Sequence, residues 1–191
     1  EKEKARIENE IARQKRELAK EKAVRDAIAT CIRKRNDILL EIFNAYKAEI
    51  DRINSSQTEL QITIGFKGDK NAWIGQLRTA FKGTGISEVK YGTIGASFSD
   101  MVALVQDVIL DSGKLLRPII TEAQYDSVAA KIRESFESLI SNVTPNLVEI
   151  SYHGKPLSQH SLGQRASALV LFILSQNDND VVIIDQPEDD L

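Results

Sequence analysis

Between Tyr152 and Asp180 the chain reads YHGKPLSQHSLGQRASALVLFILSQNDND, and its middle, Ser161-Leu162-Gly163-Gln164-Arg165, decides how the fold is read. A loop starts at Gly154, a short polar turn occupies 161–165, and an apolar helical stretch runs to about Ser175. Ser161 and Gln164 have the spacing of a capping box, which by itself accounts for both residues without a ligand. It does not account for the whole arrangement. A Ser-x-Gly turn at a helix start offers a hydroxyl, backbone N–H groups and the positive end of the helix, all suited to a phosphate. Gly163 would let a backbone or ligand come close. One helix later stands Val181-Val182-Ile183-Ile184-Asp185, a hydrophobic strand pattern ending on a carboxylate, followed by Gln186-Pro187-Glu188-Asp189-Asp190-Leu191. Either feature alone is weak; in this order they form a strong pair.

Upstream, Leu60, Ile62, Ile64 and Phe66 alternate with Glu59, Gln61, Thr63 and Gly65, the pattern of a half-buried strand. A short helix is expected over 72–81. The glycine-rich run 81–97 lacks the lysine followed by serine or threonine that a phosphate-gripping P-loop requires, so its glycines are assigned to turns and loops. Ser99 is the expected cap of a helix reaching about Asp111. Thr121 and Gln124 form a capping box for a helix to about Asn142, with Val128, Ile132, Phe136, Leu139 and Val143 as its buried stripe. Pro145 closes it, and 147–152 (LVEISY) is a second strand, with Val181–Asp185 a third.

Ahead of this lobe, Ile7 to Ile53 contains no proline or glycine and keeps a seven-residue beat. One series runs Ile11, Leu18, Arg25, Ile32, Leu39, Tyr46, Ile53; its companion runs Ile7, Gln14, Glu21, Ile28, Arg35, Ile42, Glu49. Such heptads mark a helix wound on a partner helix. The polar residues in the companion series disfavour a very stable autonomous dimer and fit an antiparallel hairpin better. The alternative is one amphipathic helix lying on a domain, but an arm of about 80 Å outruns a small lobe. The expected division is therefore 1–58, the C-terminal arm of a coiled coil, and 59–191, a globular lobe.

Charge follows the same division. Residues 1–58 hold 25 of the 53 charged residues and carry +3, while 59–191 carry −6. The net charge of −3 argues against a strongly basic nucleic-acid module. The single cysteine, Cys31, forms no internal disulfide and, with two distant histidines, no zinc cluster; a reducing, cytoplasmic setting is expected. No basic-then-apolar leader and no run of 18 apolar residues suggest secretion or a membrane partner. The start at EKEKARIENE, in mid-pattern and without an initiator methionine, reads as a segment of something longer.

Ser161–Arg165 resembles the signature motif of ABC-type ATPase heads, and Val181–Leu191 resembles their Walker B strand running into the D-loop. The charged heptad arm narrows the resemblance to the SMC-like and RecF-like branch. The DQPED variant looks like a bacterial group of SMC-like ATPases, some fused to a PHP-type phosphoesterase domain. The resemblance implies an α/β fold, the C-terminal lobe of a bipartite head, with ATP and Mg2+ as cofactors. It places Ser161 and Gly163 against the γ-phosphate of ATP held by a second head, with Gln164 and Arg165 shaping the turn. It gives the magnesium ion to Asp185 and the dimer interface to Asp189, Asp190 and Leu191. The family's usual glutamate after the Walker B aspartate is here Gln186, which orients water but cannot accept its proton. Glu188 and Gln186 are thus the candidate catalytic residues. Expected partners are the N-terminal lobe with its P-loop, an antiparallel helix of the same protein, a second head in a homodimer, and DNA. His153 and His160 do not stand where the family's switch histidine belongs and are read as loop histidines.

Two other functions fit parts of the sequence. A head that has lost hydrolysis and only assembles around ATP is kept open by Gln186. A metal-dependent nuclease built on Asp185, Glu188, Asp189 and Asp190 has the clustered carboxylates of two-metal sites, but it leaves Ser161–Arg165 unexplained. The basic residues of the arm, Arg13, Lys15, Arg16, Lys20, Lys22 and Arg33–Arg35, are interleaved with glutamates and read as a solvated helix face.

Overall fold

The computed structural model describes residues 2–56 and 59–175. With no proline or glycine to interrupt it, the arm forms one α-helix, α1 (Lys2–Ser56). Its solvent face is stitched by pairs three or four residues apart, including Glu10–Arg13 at 2.8 Å, Glu17–Lys20 at 3.1 Å and Lys47–Asp51 at 2.8 Å. Such pairs each contribute about 0.2–0.5 kcal/mol to a helix. After α1 come β1 (Leu60–Gly65), α2 (Lys70–Ala80), α3 (Glu88–Ser97), α4 (Met101–Leu110), α5 (Glu122–Glu134) and α6 (Phe136–Ser141). Strand β2 (Leu147–Tyr152), the two-residue β3 (Lys155–Pro156), a 3-10 turn (Leu157–Gln159) and α7 (Leu162–Ser175) complete the described chain. Among the described residues the fold is mixed and mostly helical, with one three-stranded antiparallel sheet of order β1-β2-β3. The expected strand at Val181–Asp185 lies outside the described residues.

The chain divides into two compact units, one of residues 1–39 with 73–143 and one of 40–72 with the residues from Thr144 onward. In the first, α2 to α6 enclose a core of Trp73, Leu77, Phe81, Ile94, Met101, Leu104, Leu116, Val128 and Ile132. The Trp73 indole donates to the Phe98 carbonyl at 3.0 Å, so the buried ring keeps its polar edge satisfied. Asp107 is also buried, and its carboxylate accepts from the N–H groups of Leu115 (2.9 Å) and Leu116 (3.0 Å), fixing the turn after α4. Burial pushes the Tyr91 phenol up from its usual range. On α1, Ile32 is buried and Arg35 donates to the Asn142 carbonyl at 2.8 Å, whereas Ile7, Ile11, Leu18 and Val24 are exposed.

The second unit pairs β1 with β2 from Leu60↔Tyr152 to Gly65↔Leu147. Its core gathers Ile53, Leu60, Ile62, Tyr152 and Ala168, with Ile50, Ile150, Leu157, Leu171 and Phe172 packed on it. Asn54 fastens α1 to β1: its amide donates to the Ile62 carbonyl at 2.8 Å and accepts from the Ile62 N–H at 2.9 Å. The arm's heptad is thus split. Ile32 and Ile53 are buried by this chain, while Ile11, Leu18 and Tyr46 of the same series are exposed.

Three local expectations are corrected. The run 81–97 is not all loop: Gly83 and Gly85 take positive φ in a turn, but 88–97 is helix α3. Gly95 lies inside α3 as a packing position, where an added Cβ would come within 2.8 Å of Ile74 Cγ1. The cap of α4 is Asp100, whose side chain accepts from the Ala103 N–H at 2.8 Å, not Ser99. The helix from Thr121 breaks at Ser135, which caps both α5 and α6. That break turns the stripe, so Leu139 stays buried and Val143 emerges exposed.

Candidate functional site

The hairpin of β2 and β3 delivers the chain to α7. Tyr152 pairs with Lys155, and His153 (φ 47°) and Gly154 (φ 75°) make the two-residue turn between them. Positive φ at both central residues matches the twist of an antiparallel pair, and the His153 N–H donates to the Glu59 carbonyl at 2.8 Å.

Ser161 begins α7 with the expected reciprocal box. The Ser161 N–H donates to Gln164 Oε1 at 3.2 Å, and the Gln164 N–H donates to Ser161 Oγ at 3.4 Å. The Arg165 N–H closes the first helical turn on the Ser161 carbonyl at 3.0 Å. Arg165 then reaches back over the loop, its Nε donating to the His160 carbonyl at 3.0 Å and a terminal nitrogen to the Ser158 carbonyl at 2.9 Å. Gln164 and Arg165 therefore hold the shape of the turn. Ser161 and Leu162 are exposed and Gly163 is buried. The first turn of α7 contains no acidic residue, so nothing on the helix itself offsets its positive end.

Four of the sequence-predicted site residues, Ser161, Gly163, Gln164 and Arg165, thus meet in one turn. The others, Asp185, Gln186, Glu188, Asp189, Asp190 and Leu191, lie outside the described residues. Among the described residues no group of three or more His, Cys, Asp or Glu is arranged to hold a metal. No single described helix is long and apolar enough to cross a membrane.

His160 is more than a loop histidine. Its Nδ1 lies 3.1 Å from Gln164 Oε1 and its Nε2 lies 2.9 Å from the Tyr152 carbonyl, with the Tyr152 ring edge-on at 5.5 Å. It links the end of β2 to the capping box. The sequence carried a signal for this: a histidine immediately before a Ser-x-x-Gln box stands four residues from the glutamine.

No known family model, curated protein or solved structure matches the chain.

Proposed function

We propose that the chain is the signature-bearing lobe and arm of an ABC-type ATPase head of the SMC-like branch. In this reading two heads sandwich Mg-ATP and couple its slow hydrolysis, through the arm, to a DNA transaction. The observation that carries the proposal is the Ser161 turn. An exposed hydroxyl, with a buried glycine two residues on, stands at the start of a helix of 14 residues whose first turn carries no acidic residue. Two further features support it. Val181–Asp185 follows α7 in the sequence order that a Walker B strand would take, and α1 leaves Ile7, Ile11, Leu18 and Val24 exposed for a second helix. The P-loop belongs to the partner lobe, so this chain alone should bind Mg-ATP in the millimolar range or worse.

The test pairs this chain with the P-loop-bearing lobe and measures ATP-dependent dimerisation and phosphate release. Ser161→Arg should abolish dimerisation by filling the phosphate-facing turn. Glu188→Gln should slow turnover roughly 100-fold or more with dimerisation intact if Glu188 takes the proton from water. Gln186→Glu should keep or raise turnover. Dimerisation that ignores Ser161→Arg, or micromolar Mg-ATP binding by this chain alone, would overturn the proposal. A second reading, an assembly module that binds ATP without hydrolysing it, is favoured specifically by Gln186. It requires wild-type turnover at background while Ser161→Arg still blocks assembly.

A further inference from the structure

His160 faces oxygen at both ring nitrogens. The Tyr152 carbonyl, 2.9 Å from Nε2, can only accept a hydrogen bond. The atom 3.1 Å from Nδ1 is the Gln164 side-chain oxygen, and its identity is fixed by the Ser161 N–H, which donates to the same atom at 3.2 Å. A neutral imidazole has one N–H and so satisfies one of these acceptors. An imidazolium has two and satisfies both.

We propose that His160 is a proton-operated positioning residue for the Ser161 turn. Protonated, it ties the Gln164 carbonyl to the end of β2 while leaving the capping box whole. Neutral, with its proton held on Nε2 by Tyr152, it turns a lone pair toward Gln164 Oε1. That clash is relieved by rotating the Gln164 amide, whose NH2 then donates to Nδ1. The Ser161 N–H loses its acceptor in the process, and the turn loosens at its first residue. The same turn is the one a phosphate would meet, but the inference needs no nucleotide and stands apart from the ATP reading.

The titratable and charged neighbours are few. Arg165, from α7, donates to the His160 carbonyl. Tyr152, from β2, presents its ring edge, and His153, in the hairpin turn, packs on that ring with centroids 4.1 Å apart. Among the described residues no carboxylate forms an ion pair or hydrogen bond with the imidazole. The Gln164 carbonyl is therefore the group whose orientation responds to the ring.

The experiment is amide hydrogen exchange at Ser161, followed by NMR on the whole 191-residue chain without nucleotide, between about pH 5 and 8. After correction for base-catalysed exchange, protection should fall roughly three- to tenfold as the ring deprotonates, the worth of one net hydrogen bond. His160→Gln should make protection independent of pH. Gln164→Glu should keep it high across the range, because a carboxylate accepts in every orientation. His153→Gln should retain the wild-type profile, showing that the second histidine is not the source. A flat wild-type profile overturns the proposal, and so does a pH dependence that survives in His160→Gln.

Discussion

Helices α5 and α7 start on the same device, Thr121-Glu122-Ala123-Gln124 in one and Ser161-Leu162-Gly163-Gln164 in the other. In α5 the Thr121 N–H donates to Gln124 Oε1 at 3.1 Å and the Gln124 N–H to Thr121 Oγ1 at 3.3 Å, the same two bonds as in α7. Their surroundings differ. The Gln124 amide also donates to the Gly85 carbonyl at 2.5 Å and accepts from Lys90 at 2.8 Å, so the α5 box is stapled to its own unit. Glu122 occupies the first turn, where a carboxylate suits the helix dipole, and pairs with Arg117, holding that guanidinium up from its usual range. In α7 the corresponding first position is Leu162, 69% exposed, and the second is Gly163. One helix start is closed by its own protein. The other is braced from behind by His160 and Arg165 and carries no acidic residue in its own first turn. A capping box alone does not distinguish the two; the residue after the cap does.

The largest expected effect removes the support behind the α5 box. Gly113 has φ +75°, and a Cβ added there would lie 2.2 Å from the Tyr125 ring, on the first turn of α5. Gly113→Ala should destabilise the helical unit by about 3 kcal/mol or more in urea unfolding, combining left-handed strain with a core clash. A loss under about 1 kcal/mol would mean that the α5 start is not anchored as described. The next effect compares the caps themselves. Thr121→Ala and Ser161→Ala should each cost about 1 kcal/mol, since the two cap bonds are alike in geometry. A much larger cost at Ser161 would make that turn as structural as the first.

The smallest expected effect is the most discriminating. Leu162→Glu gives α7 the acid that α5 already has, and should raise stability by about 0.3–1 kcal/mol. It should also weaken the response of the Leu162 and Gly163 amides to added inorganic phosphate. A destabilised variant, or an unchanged phosphate response, would erase the contrast between the two helix starts.

Much of this was legible in the sequence because it rests on local chemistry. The unbroken α1, the alternation that makes β1, and both capping boxes are fixed by residues within a few positions of one another. Apart from the α4 cap, where Asp100 serves instead of its neighbour Ser99, the errors came where distant contacts decide. Glycine in 88–97 argues for loop by propensity, yet α3 forms because Gly95 lets Ile74 pack against it. The heptad of α1 reads as uniform, but Ile53 is covered by β1 and α7 of this chain while Leu18 is exposed. In the candidate site, the Ser161 turn follows from spacing alone. The double hydrogen bond of His160 does not, because its second acceptor is a strand carbonyl brought there by the hairpin.

The neck of the helical insertion bears on how the molecule folds. Gly65 and Leu147 are register partners, although all of 66–146 intervenes between them. At that junction the Lys67 N–H donates to Asn146 Oδ1 at 3.0 Å and the Asp69 N–H to the Pro145 carbonyl at 3.2 Å, so the insertion leaves and returns through one narrow gate. Bringing β1 and β2 together across an unfolded loop of that length costs about 4 kcal/mol in chain entropy before any strand contact forms. If the helices fold first, the gate is already closed and the strands need span only a few residues. The insertion then acts as a template for the ladder, and a destabilised Trp73 core should delay the pairing of two strands to which it contributes no residue.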